Sequence, residues 1–344
     1  MGNNFMTSTI KLGGFKVLKD VDFFSIGMHL KPNKNPARFC RLLARKEINL
    51  SYLTCLKSGQ DWGLNFVADK GCSQDILNII EENSGIIIRQ VPDTAILSIF
   101  PHSRNPEIAG RLFVSLGNQG LIPSGIGTSS SAVSIVLKKE SLDLARDALF
   151  KTFSFSSYRT PEDWTLAQKG REELYKEVVA NYREALPKVY GVEYHDFQQL
   201  IKIESRKDTI KNIGTSLIDF AGLGQKLTFS ANGPGSAEGH DILTFCLPLS
   251  DEHSVGDILK KSVPDTEIDI ISPVSIFAMN GPHFGDRYGI SSRFLTAFQS
   301  SKVDVLGLSC TIASLTIVVN SEQKDLALST IQKCFKVPSI IKRD

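Results

Sequence analysis

The sequence predicts an α+β protein in which a small unit of strands and helices is repeated. The first observation behind this is an internal repeat: residues 108–153 and 290–335 align without a gap at an offset of 182. The offset places Arg111 on Arg293 and Gly125 on Gly307. The second is that short alternating apolar runs and longer runs at helical spacing follow the order strand, helix, strand, strand, helix. Because a repeat decides architecture before any single residue does, we do not expect one large catalytic domain.

Unit one is predicted to cover residues 1–92, including an N-terminal extension. Its strands are predicted at 21–30, 50–56, 63–68 and 86–90, and its helices at 35–48 and 73–82. Asn35 followed by Pro36 is a favourable helix start. The asparagine side chain caps an N–H group of the first turn, and proline lacks the N–H that would be unpaired there.

Unit two, residues 93–158, repeats this helix start at Asn105-Pro106. Its first strand is predicted at 95–100, its hairpin at 122–137 and its second helix at 142–153. A connecting helix, 159–185, then begins at the capping-box pattern Thr160-Pro161-Glu162-Asp163. Trp164 lies on its apolar face, so we expect that face to pack on a domain.

Units three (186–271) and four (272–344) complete the chain. Unit three has predicted strands at 198–203, 226–230 and 242–247, with helices near 207–220 and 254–262. Unit four has strands at 274–279, 305–310, 313–319 and 337–341, with helices at 290–299 and 322–335. The order βαββαβ is that of the ferredoxin-like fold. Each unit leaves sheet edges that need covering, so we expect four units arranged as two tandem pairs.

Composition narrows the functional classes. A formal net charge of +2 and 42% hydrophobic residues are ordinary for a globular chain and give no reason to expect nucleic acid or membrane as a partner. No apolar run approaches the roughly 20 residues of a membrane-spanning helix. The six cysteines have no metal-ligand spacing, so we expect reduced thiols, a cytoplasmic location, no metal and no cofactor.

A resemblance to a known family rests mainly on unit four. An apolar strand is followed by a glycine-bearing loop at 280–289, a helix at 290–298, a hydrophobic strand pair and a helix holding Asp325-Leu326-Ala327. This pattern resembles an ACT domain of the regulatory half of aspartokinases. Unit two fits the same template, and units one and three fit it by the order of their elements. A strand soon after residue 14 leaves no room for a kinase domain of roughly 200 residues, so we expect ACT-like units without one.

The resemblance implies a ligand site. ACT domains hold ligands at the loop between the first strand and first helix, against a neighbouring unit's second strand. A helix amino end suits an amino-acid carboxylate, and a nearby acid suits the ammonium group. The alternative is that Asp286 is a solvated loop residue and Asn105 only a helix cap. The predicted ligand-binding residues are His102, Ser103, Asn105, Gly125, Ile126 and Thr128 in unit two, and Asn280, Gly281, Asp286, Gly289, Leu308 and Ser309 in unit four.

We therefore expect a regulatory sensor that is not an enzyme, with no catalytic residues, binding an amino acid between ACT-like units. Its expected partners are a second copy of the chain, as a homodimer, and an enzyme encoded separately. One alternative is a purely structural scaffold for oligomerisation, without a ligand. Another is an enzyme built on the same sheets, since this fold hosts many functions.

Overall fold

The computed structural model describes residues 9–29, 35–83, 86–168, 186–205, 209–235, 241–250, 255–264, 266–281, 284, 288–311 and 314–343. The strands are β1 Ile10–Leu12, β2 Gly14–His29, β3 Leu50–Ser58, β4 Asp61–Asp69, β5 Ile86–Phe100, β6 Gly125–Thr128, β7 Val133–Lys138, β8 Phe153–Phe155, β9 Gly191–Ser205, β10 Phe229–Pro234, β11 Asp241–Pro248, β12 Ile268–Asn280, β13 Val305–Thr311, β14 Ser314–Asn320 and β15 Ile340–Arg343. The helices are α1 Pro36–Arg45, α2 Ser73–Glu81, α3 Pro106–Asn118, α4 Leu142–Thr152, α5 Pro161–Gln168, α6 Thr209–Gly222, α7 Val255–Ser262, α8 Ile290–Ser300 and α9 Lys324–Cys334.

The order strand, helix, strand, strand, helix occurs in four successive segments. Segment one runs from β2 to α2, segment two from β5 to α4, segment three from β9 to α7 and segment four from β12 to α9. The prediction of a fold that mixes helices and strands is confirmed, and most of the described strands lie in one large sheet. The sequence-predicted helix starts are also present: the side-chain oxygens of Asn35 and Asn105 accept from the N–H groups of Arg38 at 2.8 Å and Glu107 at 3.0 Å.

Twelve strands among the described residues close into a ring. Their order is β11-β10-β6-β7-β5-β2-β4-β3-β13-β14-β12-β9, and β9 also pairs with β11. Strand β15 adds to β9 in parallel, and β1 pairs with β8 as a separate parallel pair. Segments one and four meet where β3 pairs with β13, and segments two and three meet where β6 pairs with β10.

The strands have two kinds of buried face. One face of segments one and four is covered by their helices, around residues such as Phe66 and Phe294, and the helices of segments two and three cover a second core around Phe113 and Phe245. The opposite strand faces meet in the middle of the molecule, where the buried clusters contain strand residues only. The fold is therefore layered as helices, sheet, sheet and helices.

Asn232 on β10 joins three segments in the middle layer, where it is 3% exposed. Its side-chain oxygen accepts from the Ile126 N–H at 2.6 Å, and its amide donates to the Ser124 carbonyl at 3.2 Å. Its own carbonyl accepts from the Thr54 hydroxyl at 2.8 Å and the Asn65 amide at 3.2 Å. Because buried polar groups need partners, this residue fixes the two sheets to each other.

Three predicted strands of segments one and two differ from the structure. We expected separate strands at 86–90 and 95–100, but β5 is continuous through Pro92 and Asp93, and β2 begins at Gly14 rather than at residue 21. The β2–β5 pairing shifts register around Val21, and Asp93 has a φ of 50°. The proline is accommodated at this irregularity, so one strand serves both segments one and two.

The connecting helix begins as predicted. Thr160 and Asp163 form a reciprocal capping box, with the Asp163 N–H donating to the threonine hydroxyl at 3.2 Å and the Thr160 N–H to the carboxylate at 3.1 Å. Trp164 stacks on Phe15 with ring centroids 4.7 Å apart. The rest of the predicted helix, beyond Gln168, lies outside the described residues. In the part of the chain that is described, no helix has both the length and the apolar character needed to cross a bilayer.

Candidate functional site

Two pairs of helices cross where segments meet. Helix α1 of segment one packs against α8 of segment four, and α3 of segment two packs against α6 of segment three. Each pair joins two segments, and the resemblance places ligands in the loops that precede such first helices. The two pairs differ in how closely the helices approach.

Helices α3 and α6 touch through glycines. A Cβ atom added to Gly110 would lie 2.5 Å from the carbonyl oxygen of Gly214, and one added to Gly214 would lie 2.7 Å from that of Gly110. A Cβ at Gly117 would lie 2.7 Å from Cβ of Lys211. The backbones are therefore in direct contact, with no room for a side chain at the crossing.

Helices α1 and α8 carry side chains where α3 carries glycine. Ser292 of α8 matches Gly110 at the repeat offset of 182, and Cys40 of α1 matches it because the Asn-Pro starts of α1 and α3 lie 70 residues apart. Both side chains border a pocket of about 300 Å³, a volume that includes its opening to solvent. The pocket is lined by Cys40, Leu43, Ala44, Ile48, Leu50, Phe284, Gly289, Ile290, Ser291 and Ser292.

The amino end of α8 opens into this pocket. Its N-cap is Gly289, with a φ of 84° and no side chain that could accept from the first turn. In contrast, α1 and α3 are capped by Asn35 and Asn105. The N–H groups of residues 290–292 have no partner inside the helix, and such an end carries a partial positive charge. The pocket therefore offers hydrogen-bond donors to an anionic group.

Polar contacts hold the two sides of the pocket together. Tyr288 lies just before α8, and Glu47 lies just after α1. The Tyr288 hydroxyl donates to a Glu47 carboxylate oxygen at 2.9 Å. Along the helices, Arg41 Nη2 donates to the Thr296 hydroxyl at 3.2 Å. Segments one and four are thus joined by side-chain hydrogen bonds as well as by the β3–β13 pairing.

The thiols beside the pocket are neutral. Burial raises the pKa of Cys40 to about 12 and that of Cys310 to about 12, although a hydrogen bond with Ser291 lowers the latter slightly. A thiol is a nucleophile or a metal ligand only as the thiolate. The described residues contain no group of three or more His, Cys, Asp or Glu side chains arranged to hold a metal ion.

The predicted loop of unit four is placed in part. Gly289 lines the pocket. Asn280 ends β12 and accepts from the Ser130 hydroxyl at 2.8 Å, so its side-chain oxygen is already used. A Cβ at Gly281 would lie 2.8 Å from the Phe284 ring, which makes that glycine a packing requirement. Asp286 lies outside the described residues.

The predicted strand residues of unit four point to opposite faces of β13. Leu308 is buried in the helix-covered core. Ser309 faces the middle layer, where a Cβ added to Gly127 would lie 2.9 Å from its hydroxyl oxygen. Neither residue lines the pocket.

The predicted loop of unit two is occupied by internal contacts. His102 is 1% exposed, and its Nε2 is hydrogen-bonded to the Ser129 carbonyl at 2.7 Å. Burial lowers the pKa of His102, with the hydrogen bond to the Ser129 carbonyl acting against this effect. Ser103 has a φ of 49°, and Asn105 caps α3.

The same loop contacts segment three. The Arg104 carbonyl accepts from the Leu227 N–H at 2.8 Å, and Arg104 Nη1 lies 2.9 Å from Nε2 of His195 on β9. Burial, and then the nearby arginine, lower the pKa of His195 to about 4. The histidine is therefore neutral at pH 7 and accepts the arginine's hydrogen bond.

The predicted strand residues of unit two, on β6, contact segment three as well. Gly125 is buried, and the Ile126 N–H donates to Asn232. The Thr128 hydroxyl accepts from the Ser230 N–H at 2.6 Å. The structure thus brings Ile126 and Thr128 to the junction with segment three, while the hydrogen bonds of His102 and Asn105 are made within segment two.

Most residues of the pocket were not predicted. We assigned Cys40 to the core as a buried thiol, and Ser291 and Ser292 only to a helix. One signal was present in the sequence. At the offset of 182, Glu107 in the first turn of α3 is matched by Gly289, which has no side chain that could cap a helix.

Comparison with known proteins identifies the fold. No family model matches the chain, and no curated protein matches it. The structure of an aspartate kinase from Synechocystis matches 94% of this chain and 56% of its own, with a TM-score of 0.75 and 16% identity. The ligand-free regulatory subunit of aspartate kinase from Thermus thermophilus matches 42% of this chain and 99% of its own, with a TM-score of 0.38 and 21% identity.

One expectation is corrected by this comparison. We expected a protein that is not an enzyme, but the protein that matches 94% of the chain is an aspartate kinase, which is an enzyme. This chain spans about 56% of that enzyme's length. It has the fold of that part of an aspartate kinase.

Proposed function

We propose that this chain is an effector-binding region of the aspartate kinase type, built from four ACT-like units, which binds an amino acid in the α1/α8 pocket. The observation that supports this most strongly is the amino end of α8, whose N-cap Gly289 has no side chain and which lines a pocket between two segments. A link between this chain and the activity and partners of the matching aspartate kinase is part of the same proposal.

The pocket suits one end of an amino acid. Residues 290–292 present backbone N–H groups, and a helix amino end is favourable for a carboxylate. Ser291 and Ser292 are each 8% exposed, so groups that bind there are largely removed from water. Hydrogen bonds to a charged acceptor are stronger than those between neutral groups.

Binding at this place provides regulation. Segment one lines the pocket with residues of α1 and with Ile48 and Leu50. Segment four lines it with Phe284 and the start of α8. A ligand that contacts both segments binds best at one relative position of the two. It therefore shifts the population towards that position, and the same difference in affinity couples the pocket to any activity that depends on it.

The first experiment is a thermal-shift screen of the purified chain against each of the common amino acids. A ligand present at 100 times its Kd adds about 2.7 kcal/mol to the free energy of unfolding. For a protein of this size we expect the melting temperature to rise by several degrees. A screen in which no amino acid raises it would contradict the proposal.

A pair of variants tests the location. Ala44 lines the pocket, and a Cβ atom added to Gly289 would lie 3.5 Å from the Cβ atom of Ala44. We expect Ala44→Met to fill the pocket and abolish the shift. The matched control is Ala221→Met near the end of α6, a half-buried position outside the pocket. Equal shifts in both variants would place the ligand elsewhere.

The expected homodimer and the separately encoded partner enzyme remain predictions. Sedimentation velocity of the chain with and without the amino acid found in the screen tests the first. Co-purification with an aspartate kinase catalytic domain, followed by an activity assay at rising amino-acid concentration, tests the second.

A further inference from the structure

We propose that strand β15 docks an extended, acidic peptide segment of a partner protein, which adds to the large sheet as a further strand. The docking surface, named the β15 edge, consists of Lys188, Tyr190, Lys336 and the β15 residues 340–343. None of these residues lines the α1/α8 pocket, so the proposal does not depend on the proposed function.

The β15 edge is an open end of the large sheet. Twelve of the described strands close into a ring, and β15 pairs with β9 alone among them, which leaves its outer edge without a strand neighbour in the described part of the chain. All four residues of β15 are exposed, with Ile340 at 39% and Ile341 at 41%. An open strand edge presents backbone groups to which another extended chain can bond.

The pairing with β9 determines which backbone groups face outwards. The Val192 N–H donates to the Ser339 carbonyl at 2.9 Å, so the backbone of Ser339 faces β9. Along a strand, the N–H and C=O groups of successive residues point to opposite sides. Those of Ile340 and Lys342 therefore point away from β9, towards the place where a partner strand would lie.

Contacts at both ends hold β15 in position. Before the strand, the Lys336 N–H donates to the Pro187 carbonyl at 3.0 Å. At its end, Arg343 Nη2 donates to a Glu193 carboxylate oxygen at 2.7 Å. Because β15 is already ordered, a partner gains its hydrogen bonds without the entropic cost of ordering this strand.

The corresponding place in the first half of the chain is covered. At the offset of 182, Ile340 matches Tyr158, which packs on Phe15 of β2 with ring centroids 6.5 Å apart. Trp164 stacks on the same phenylalanine, and its Nε1 donates to the Phe15 carbonyl at 3.4 Å. The second half presents an open strand there, and Tyr190, which leads into β9, is 70% exposed.

The charge of the β15 edge favours an acidic partner. The nearby acids are engaged, since Glu193 bonds to Arg343 and Asp196 accepts from Lys324 at 2.7 Å. Asp344 lies outside the described residues. Opposite charges on neighbouring strands favour pairing, whereas lysine on an edge discourages pairing with an identical edge. The basic residues of the surface, all exposed, are Lys188, Lys336, Lys342 and Arg343.

Fluorescence anisotropy of the full chain with a labelled peptide tests the docking. The probe is a short peptide that alternates valine with glutamate, and the matched control alternates valine with lysine. We expect the glutamate peptide to bind saturably, the lysine peptide to bind at least roughly tenfold more weakly, and added NaCl to weaken binding. Equal binding of the two peptides, or binding of neither, would contradict the proposal.

Two variants of one residue test the addition of a strand. Ile340→Pro removes an outward N–H group, whereas Ile340→Ala keeps this group and removes most of the side chain. We expect the glutamate peptide to bind about tenfold more weakly to the proline variant and about threefold more weakly to the alanine variant. Equal losses would show that the peptide does not pair with the backbone.

Hydrogen exchange gives a measurement on the unmodified chain, which does not depend on how the proline variant folds. The bound glutamate peptide should slow the exchange of the Ile340 and Lys342 N–H groups and leave those of Ile341 and Arg343, which face β9, unchanged. Exchange that is the same with and without the peptide would rule out the added strand.

A charge reversal and the oligomeric state complete the test. We expect Lys342→Glu to weaken binding of the glutamate peptide by about fivefold, and Lys151→Glu, at an exposed lysine of α4, to leave it unchanged. Equal effects of the two variants would mean that only the overall charge matters. A dimer of the unmodified chain that Ile340→Pro dissociates in sedimentation velocity would assign the β15 edge to a second copy and overturn the proposal.

Discussion

The two helix pairs have the same place in the fold but different contents. At the α3/α6 crossing, Gly110 and Gly214 bring the backbones together. At the α1/α8 crossing, the positions that match Gly110 hold Cys40 and Ser292, and a pocket lies beside them. The crossing with glycine is thus closed by direct backbone contact, and the crossing with a thiol and a hydroxyl group has a pocket beside it. Architecture alone does not make a binding site.

The loops before α3 and α8 also differ in how far their polar groups are bonded within the protein. On the closed side, Asn105 caps α3 and Arg104 bonds to His195 and Leu227, so the polar groups are used within the protein. On the open side, the N-cap of α8 is Gly289, which has no side chain that could cap the helix. The duplicated segments have kept their shape, while the residue at the helix start differs between the two pairs.

The largest effect is expected from a methyl group at the closed crossing. In Gly110→Ala, the new Cβ would lie 2.5 Å from the Gly214 carbonyl oxygen, so the helices must separate. We expect the free energy of unfolding to fall by about 3 kcal/mol, because overpacking outweighs the better helix propensity of alanine. Urea unfolding measures it.

The control for this change is Gly222→Ala at the end of α6, where a Cβ would meet nothing within 4 Å. It should leave stability unchanged or raise it by up to about 1 kcal/mol. If Gly110→Ala behaves like this control, the closed pair is not held by direct backbone contact, and the comparison fails.

An intermediate effect on the free energy of unfolding is expected from a change of pH, through His195 at the closed pair. His195 has a pKa of about 4 in the folded chain, lowered by burial and by Arg104 from an ordinary value of 6.5. Between these values the unfolded chain binds a proton that the folded chain does not, so stability falls as the pH falls below 6.5. From pH 7.5 to pH 5, His195 should contribute a loss of about 2 kcal/mol.

The variant His195→Gln keeps a hydrogen-bond acceptor for Arg104 and cannot take up the proton. Urea unfolding at both pH values should show a decline about 2 kcal/mol smaller in the variant than in the unmodified chain. Parallel declines in the two proteins would show that the histidine is solvated rather than held in the interface.

The smallest effect is expected at the open pair. Tyr288→Phe removes the hydroxyl that donates to Glu47 across the pocket. The bond is exposed, so we expect a loss of about 0.5 kcal/mol in the free energy of unfolding. Tyr190→Phe, at a 70% exposed tyrosine, is the matched control. A loss above about 2 kcal/mol would mean that the open pair is as tightly coupled as the closed one.

The sequence predicted what depends on local chemistry. The caps at Asn35 and Asn105, the capping box at Thr160 and the order of elements follow from neighbouring residues. The crossings do not, because they depend on which segments pair and on distances between helices far apart in the chain. Nothing in the sequence distinguishes Gly110 at a helix crossing from a glycine on a helix surface.

Of the residues that line the pocket, only one was predicted as a ligand-binding residue. Gly289 was identified because it precedes a helix in an ACT-like loop, and the structure places it in the pocket. The unit-two candidates followed from the same resemblance, yet Ile126 and Thr128 bond to segment three, and His102 and Asn105 bond within segment two. Equivalence in sequence could not show that one copy of the interface is closed.

The continuity of four strands limits how this protein can move. β2 and β5 each pass through segments one and two, and β9 and β12 each pass through segments three and four. A hinge between neighbouring segments would have to break backbone hydrogen bonds in strands that both share. Any response to a ligand at one helix pair must therefore be a change in twist carried along whole strands, which reaches the opposite pair without a flexible linker.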